Sequence, residues 1–484
     1  MTLTADVLMI AVLLLPLLAC VGIGLCRHHP NAREAVSLSA GAVQFALVCL
    51  LYLSDGALIR GPEILPGLSI SFVTEPLGLL FALIASLLWC VTTLYATGYM
   101  RAHEEANQTR FYLFFAIAIA AVMGIAFADN LFTLFVFYEV VTFSTYPLVT
   151  HAGTDKARKG GRTYLRILLG TSIVFFIPAM IGTWLYAGTL TFTPGGVFDD
   201  SVSRVSLSVL LLLFVFGIGK AAVMPFHRWL PAAMVAPTPV SALLHAVAVV
   251  KAGVFTLLKV SLYLFGAETL QSLPITDFLL YLVAFSILLA SLIAMRQDNL
   301  KARLAYSTVS QLGYISLGAL LASSAGATGS ALHIAMHAFG KITLFFCAGA
   351  IMITAHKTEV SQMRGLGRQM PLTMAAFLIG SLSIIGLPPT GGLWSKWYLL
   401  LGALERDQLV LMLVLMISSL LNIAYLLPIA VRAFFPNEQG PVAALVEVKE
   451  APLPVLIALG FTALACIVLF FWPQVFLNLA TQIG

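Results

Sequence analysis

Eight ionisable side chains stand inside stretches that are otherwise apolar. Glu139 lies in LFVFYEVVTFSTYPLV, Lys220 in FVFGIGKAAVMPFHRWLP, His245 and Lys251 in SALLHAVAVVKAGVF, His333, His337 and Lys341 in ALHIAMHAFGKITLFF, and Lys396 in GGLWSKWYLL. If these stretches cross a bilayer, each charge at the centre costs roughly 2.5–3.5 kcal/mol on insertion scales, so such residues are candidates for function. The chain has ten lysines, and four of them are in this set. A lysine beside a glutamate can change between its charged and neutral forms as its neighbours shift, which is what a proton relay needs. The competing reading is a static ion pair of Glu139 with one lysine, tying two helices together. Buried pairs often fail to offset their desolvation, and one pair would leave the other lysines unexplained.

His333, His337 and Lys341 recur at i, i+4 and i+8, which lines one helical face over about 12 Å. Such a stripe can hold a file of waters; the plainer reading is a pair of core histidines bonded to nearby carbonyls. Two histidines at i and i+4 also suit zinc, but HIAMH lacks the glutamate of the zincin motif, so no metal site is expected.

These residues need helices to position them. A bilayer core takes about 20 apolar residues per helix, and backbone groups in lipid must be satisfied within the segment. Fourteen spans are predicted, near 6–26, 34–54, 76–99, 110–128, 129–150, 163–188, 204–235, 240–265, 274–295, 302–323, 327–355, 371–404, 408–434 and 453–479. The seventh and twelfth are interrupted. Gly217, Gly219 and Pro225 flank Lys220, and Pro388, Pro389, Gly391 and Gly392 precede Lys396. Proline and glycine break the helical ladder, and paired breaks in corresponding positions of two repeats point to an ion site.

Loop charge orients the spans. Lys156, Arg158, Lys159, Arg162 and Arg166 follow the fifth span, Arg296, Lys301 and Arg303 the ninth, and Lys357, Arg364 and Arg368 the eleventh, while Arg27 and Arg33 follow the first. Asp55, Glu63, Glu75, Asp199, Asp200, Glu268 and Asp277 fall in the alternate loops. By the positive-inside rule both termini lie outside. The longest loop, 435–452, with Glu438, Glu447, Lys449 and Glu450, is too short for a soluble domain.

Composition agrees. Of 484 residues 60% are hydrophobic and 10% charged, with net charge +5 and mean hydropathy +0.99, whereas soluble domains carry about 25% charged residues. An all-α polytopic membrane protein follows. The basic residues form short clusters, which excludes a nucleic-acid binder. Six cysteines, Cys20, Cys26, Cys49, Cys90, Cys347 and Cys466, show no CxxC and read as small apolar residues. The first apolar segment is too long for a signal-peptide core and is expected to be retained. No Walker-type loop or dinucleotide fingerprint occurs, so no cofactor is expected.

The blocks YEVVTFSTYPLV, GKAAVMPFHRWLPAAMVAPTPVSALLHAVAVVKAGVF, QDNLKARLAYSTVSQLGY and GLPPTGGLWSKW resemble the antiporter-like subunits shared by respiratory complex I, membrane-bound hydrogenases and the multisubunit Mrp-type Na+/H+ antiporters. The resemblance covers nearly the whole chain. It implies two inverted five-helix repeats, each with a discontinuous helix, at 110–266 and 267–434, between an N-terminal three-helix segment (1–109) and a C-terminal loop and last helix (435–484). It implies that Glu139 and Lys220 pair as the fifth-helix glutamate and seventh-helix lysine, that Lys251 is the central lysine and Lys396 the outlet. His245, His333, His337 and Lys341 are supporting residues beside that relay. A lysine at 396, where one complex I subunit has glutamate, and an end after the fourteenth span favour similarity to the Mrp D subunit. The function implied is proton translocation within a monovalent cation (Na+)/proton antiporter, a transporter rather than an enzyme, in a bacterial inner membrane with other membrane subunits as partners. The alternative is a proton-pumping subunit of a complex I-like or hydrogenase assembly.

Overall fold

The computed structural model describes residues 4–65, 67–435 and 449–483. Most of the predicted 435–452 loop, including Glu438 and Glu447, lies outside the described residues. Helices run α1 (Ala5–Leu25), α2 (Pro30–Tyr52), α3 (Pro76–Ala102), α4 (Gln108–Ala126), α5 (Leu131–Val149), α6 (Asp155–Ala187), α7 (Arg204–Gly217), α8 (Thr238–Phe265), α9 (Pro274–Arg296), α10 (Leu300–Leu321), α11 (Ser324–Ala355), α12 (Pro371–Ile385), α13 (Gly392–Glu405), α14 (Leu409–Phe434), α15 (Leu453–Phe471) and α16 (Gln474–Thr481). The chain is a multi-pass membrane protein: among the described residues, eleven helices are long and apolar enough to cross a bilayer.

Three of the fourteen predicted spans differ from that simple form. The seventh and twelfth are broken into pieces too short to cross alone: α7 has 14 residues, α12 has 15 and α13 has 14. The tenth forms α10, but Ser307, Thr308, Ser310, Gln311 and Ser316 make it too polar to count with the eleven. The sixth begins earlier than predicted, at Asp155, because Thr154 caps it by accepting a hydrogen bond from the Ala157 amide at 3.1 Å. Lys156, Arg158, Lys159, Arg162 and Arg166 therefore sit on the helix rather than in a loop, where long basic side chains can reach the bilayer surface. The predicted fourteenth span ends at Phe471, and α16 restarts after Trp472 and Pro473.

The expectation of an all-α chain needs one correction. Leu58–Leu65 (β1) pairs antiparallel with Leu68–Val73 (β2), placing Arg60 opposite Ser71. The hairpin is tied to the bundle where the Val73 amide donates to the Phe127 carbonyl at 2.7 Å, and it fills what the sequence suggested was open loop.

Two helices form the centre. α8 is buried along its whole length, and α11 is buried from Ala325 to Ile351 and packs against α3, α8, α10, α12, α13 and α15. Because lipid is as apolar as leucine, such packing is driven by close contact and polar links between helices rather than by expulsion of water. Small residues permit the contact. A Cβ on Gly253 of α8 would come 2.3 Å from the Lys220 carbonyl carbon, so only glycine lets α8 meet the Lys220 turn.

Candidate functional site

Each of the eight sequence candidates is placed by one of these breaks or central helices. Lys220 occupies a tight 3-10 turn, Gly219–Ala221, directly after α7, and Ala222 leaves it with φ +56°. The turn points the side chain inward. Its ammonium lies 3.1 Å from the Tyr138 ring centroid and 3.9 Å from Glu139 Oε1 on α5. Lys220 Nζ makes no hydrogen bond, and neither does Glu139 Oε2. Glu139 Oε1 instead accepts a hydrogen bond of 2.6 Å from the Ser172 hydroxyl on α6. The pair is thus close but open, with the serine competing for the carboxylate.

Lys251 on α8 is fully buried, and its Nζ lies 2.8 Å from His337 Nδ1 on α11. Both atoms can hold the shared proton, so the contact is a two-position site for it. One turn back, His333 has both nitrogens engaged: Nε2 lies 3.0 Å from Gln311 Oε1 and Nδ1 lies 2.8 Å from Ser395 Oγ. The Gln311 oxygen can only accept, which puts the proton on Nε2 and leaves Nδ1 to accept from Ser395. The His333 and His337 rings are 5.8 Å apart, and Tyr314 stacks on His333 at 5.6 Å.

Ser395 adjoins Lys396 at the start of α13. Lys396 Nζ donates to the Ile385 carbonyl at 2.9 Å, freed by the break after α12, and to Ser419 Oγ on α14 at 3.0 Å. The structure therefore brings Lys251, His337, His333 and Lys396 into one buried row.

Two candidates stand elsewhere. Lys341 was expected between Lys251 and Lys396, but it turns to α10 and α14, donating to Ser307 Oγ at 2.6 Å, which also accepts from the Tyr425 hydroxyl at 2.8 Å. One further turn along α11 carries its side chain past the row. His245 sits in a π-helical turn of α8, Leu243–Val247, with neither ring nitrogen bonded and Phe345 4.5 Å away. No hydrogen bond links Lys220 to Lys251 directly.

Several participants were not singled out from sequence. Ser172, Gln311, Tyr314, Ser395 and Ser419 are polar residues of ordinary type, and only three-dimensional placement marks them. A second buried pair was also missed: Lys259 Nζ on α8 lies 2.8 Å from Glu75 Oε2, at the start of α3, and donates to the Ala128 carbonyl at 2.6 Å. Lys259 could have been found, since it stands eight residues after Lys251 in the same apolar run. Among the described residues no group of three or more His, Cys, Asp or Glu side chains is placed to hold a metal ion.

The geometry can be set beside known proteins. Residues 128–422 match the family model described as NADH:quinone oxidoreductase/Mrp antiporter, transmembrane. The NADH-quinone oxidoreductase subunit N of Desulforudis audaxviator (strain MP104C) is 34% identical over 395 residues, 80% of this chain and 77% of that protein. A Na(+)/H(+) antiporter subunit of Alkalihalophilus pseudofirmus is 30% identical over 85% of this chain, which spans 54% of that longer protein. One chain of the Mrp complex from Dietzia sp. DQ12-45-1b superposes with TM-score 0.84 at 21% identity, and one chain of an archaeal membrane-bound sulfane sulfur reductase with TM-score 0.86 at 23%, each covering 98% of this chain and 96% of the other. The same fold thus serves both kinds of assembly, and this chain belongs to the NADH:quinone oxidoreductase/Mrp antiporter transmembrane family.

Proposed function

We propose that the chain is the proton-translocating subunit of a multisubunit Na+/H+ antiporter, of the Mrp D type, in a bacterial inner membrane, with both termini outside. In this reading residues 110–266 and 267–434 are inverted repeats, each with one broken helix, and the two breaks present Lys220 and Lys396. Protons enter near Glu139 and Lys220, reach Lys251, pass along His337 and His333, and leave at Lys396. The observation that carries the reading is the row itself, above all the 2.8 Å contact of Lys251 with His337 followed by His333 on Ser395 beside Lys396.

Each step is a proton exchange at a named atom. Lys251 passes its proton to His337 Nδ1 across the 2.8 Å contact. The step from His337 to His333 is too long for a direct hydrogen bond, and a single water can bridge it. His337 Nε2 and Gln311 Nε2, both buried without a protein partner, are the groups suited to hold that water. At the entry, a closer Glu139–Lys220 pair leaves less negative field for Lys251, which then gives up its proton more readily. Lys251→Ala in the assembled complex, reconstituted in vesicles, should abolish Na+-driven proton flux while the subunits remain together; flux retained at the wild-type rate would remove Lys251 from the path.

A second reading, a redox-driven pump subunit, is favoured by the 34% identity to an NADH-quinone oxidoreductase subunit along most of its length. The two differ in the engine, not in this chain. Mass spectrometry of the complex purified through a tag on this chain separates them: small membrane subunits alone support the antiporter, and iron–sulfur or hydrogenase subunits support the pump.

A further inference from the structure

The cleft between α13 and α14 has a composition that the proton row does not require. A cavity of about 300 Å³ opens there, lined by Tyr314, Leu387, Lys396, Trp397, Leu420 and Ile423 among others. Lys396 itself is 6% exposed, while Trp397 and Leu420 at the rim are 54% and 64% exposed on the outer surface of the bundle, the surface that meets lipid tails. Gly386, at φ +88°, lets the lysine stem through: a Cβ there would come 2.7 Å from Lys396 Cδ. The ammonium consequently sits at the floor of an otherwise apolar cleft.

Three polar groups converge on that floor: Lys396 Nζ, Ser419 Oγ at 3.0 Å from it, and the Tyr314 hydroxyl at 3.3 Å from Ser419. Both hydrogen-bond partners of the ammonium are neutral oxygens, Ile385 O and Ser419 Oγ. Among the described residues no ion pair includes Lys396. An apolar cleft with a few convergent polar groups is the form of a small-molecule site, and its volume is at the low end for one. An unmatched cation at the base calls for an anionic head, and greasy walls open to the bilayer call for an alkyl tail.

We infer that this cleft binds a long-chain carboxylic acid that enters sideways from the membrane. The acid partitions in its neutral form; its O–H bond breaks and an N–H bond forms on unprotonated Lys396, leaving a carboxylate against an ammonium, with Ser419 free to donate a second hydrogen bond. No other reactant is needed. The cleft holds the head and the first carbons, and the rest of the tail lies along Trp397 and Leu420 in lipid. Resting on the proposed outlet role of Lys396, such a ligand would hold that lysine charged and slow proton release.

The test uses the intact complex in nanodiscs with palmitic acid carrying a diazirine, irradiated and mapped by peptide mass spectrometry. The expected label falls on 387–423, is competed by excess oleate and not by oleyl alcohol, and is lost in Leu420→Trp and, independently, in Ile423→Trp, both checked for intact assembly. Label spread evenly over lipid-facing helices, equal competition by the alcohol, or a helix of another subunit cross-linked in the cleft would overturn the site. Oleate should also lower proton flux several-fold in the wild type and not in the two filled variants. A specific label without an effect on flux would keep the binding site and reject Lys396 as the outlet.

Discussion

Two glutamate–lysine pairs are buried in this bundle, and they are built in opposite ways. Glu75 and Lys259 meet at 2.8 Å, and the same ammonium also donates to the Ala128 carbonyl at 2.6 Å and lies 4.5 Å from the Phe192 ring. Glu139 and Lys220 stand at 3.9 Å, the ammonium faces a tyrosine ring without a hydrogen bond, and a serine holds the carboxylate. The first pair is satisfied in its place and ties the start of α3 to α8. The second is left with unspent interactions on both partners, so a small displacement changes its energy. Charge type alone therefore does not separate a tether from a switch; what separates them is how completely each charge is matched.

The sharpest way to break this comparison is to remove each lysine. Lys220→Ala should lower proton-coupled flux on the order of 100-fold, the range of a lost proton-transfer group, with assembly and thermal stability close to wild type, since Ser172 still holds Glu139. Flux measured in vesicles against the melting temperature of the purified complex gives both readouts. Stability loss with flux retained would make Glu139–Lys220 the tether.

Lys259→Ala should act the other way, destabilising the protein by about 3 kcal/mol, because one partner of a buried pair is left unmatched. Glu75→Gln combined with Lys259→Met should recover most of that loss, and the assembled double variant should retain flux. If the double variant assembles well yet transports nothing, the tight pair belongs to the proton path after all.

The sequence made the helices legible because lipid demands long apolar runs, and it made the breaks legible because glycine and proline announce them. Charges within those runs marked Glu139, Lys220, Lys251 and Lys396 for the same reason. Lys259 was as visible as its neighbours but was overlooked, and Glu75 was read as a loop residue because it lies one position before Pro76, where α3 begins. The hairpin at 58–73 had a signal in its Pro66-Gly67 dipeptide between two apolar stretches. Ser172, Gln311 and Ser395 carried none, because a hydroxyl or amide on a helix is cheap in any orientation and only the neighbour it meets gives it a role. Lys341 shows the limit of periodicity: sharing a helical face with His337 did not fix its partner, which the polar side of α10 supplied instead.

Ser172 offers the finest adjustment of the comparison. Its hydroxyl donates to Glu139 Oε1 at 2.6 Å, the same oxygen that faces Lys220 at 3.9 Å, so serine and lysine compete for one acceptor. Ser172→Ala removes the competitor without touching either charge. Lys220 can then close on the carboxylate and the open pair comes to resemble Glu75–Lys259. A hydrogen bond of this kind contributes about 1 kcal/mol, on the order of a five-fold change in rate. The expected result is flux lowered by roughly that factor with unchanged or slightly raised melting temperature, since a tighter pair binds α5 to the α7 break more firmly. Flux equal to wild type would mean that the 3.9 Å separation is set by backbone packing at the break, and that Ser172 satisfies the carboxylate without tuning it.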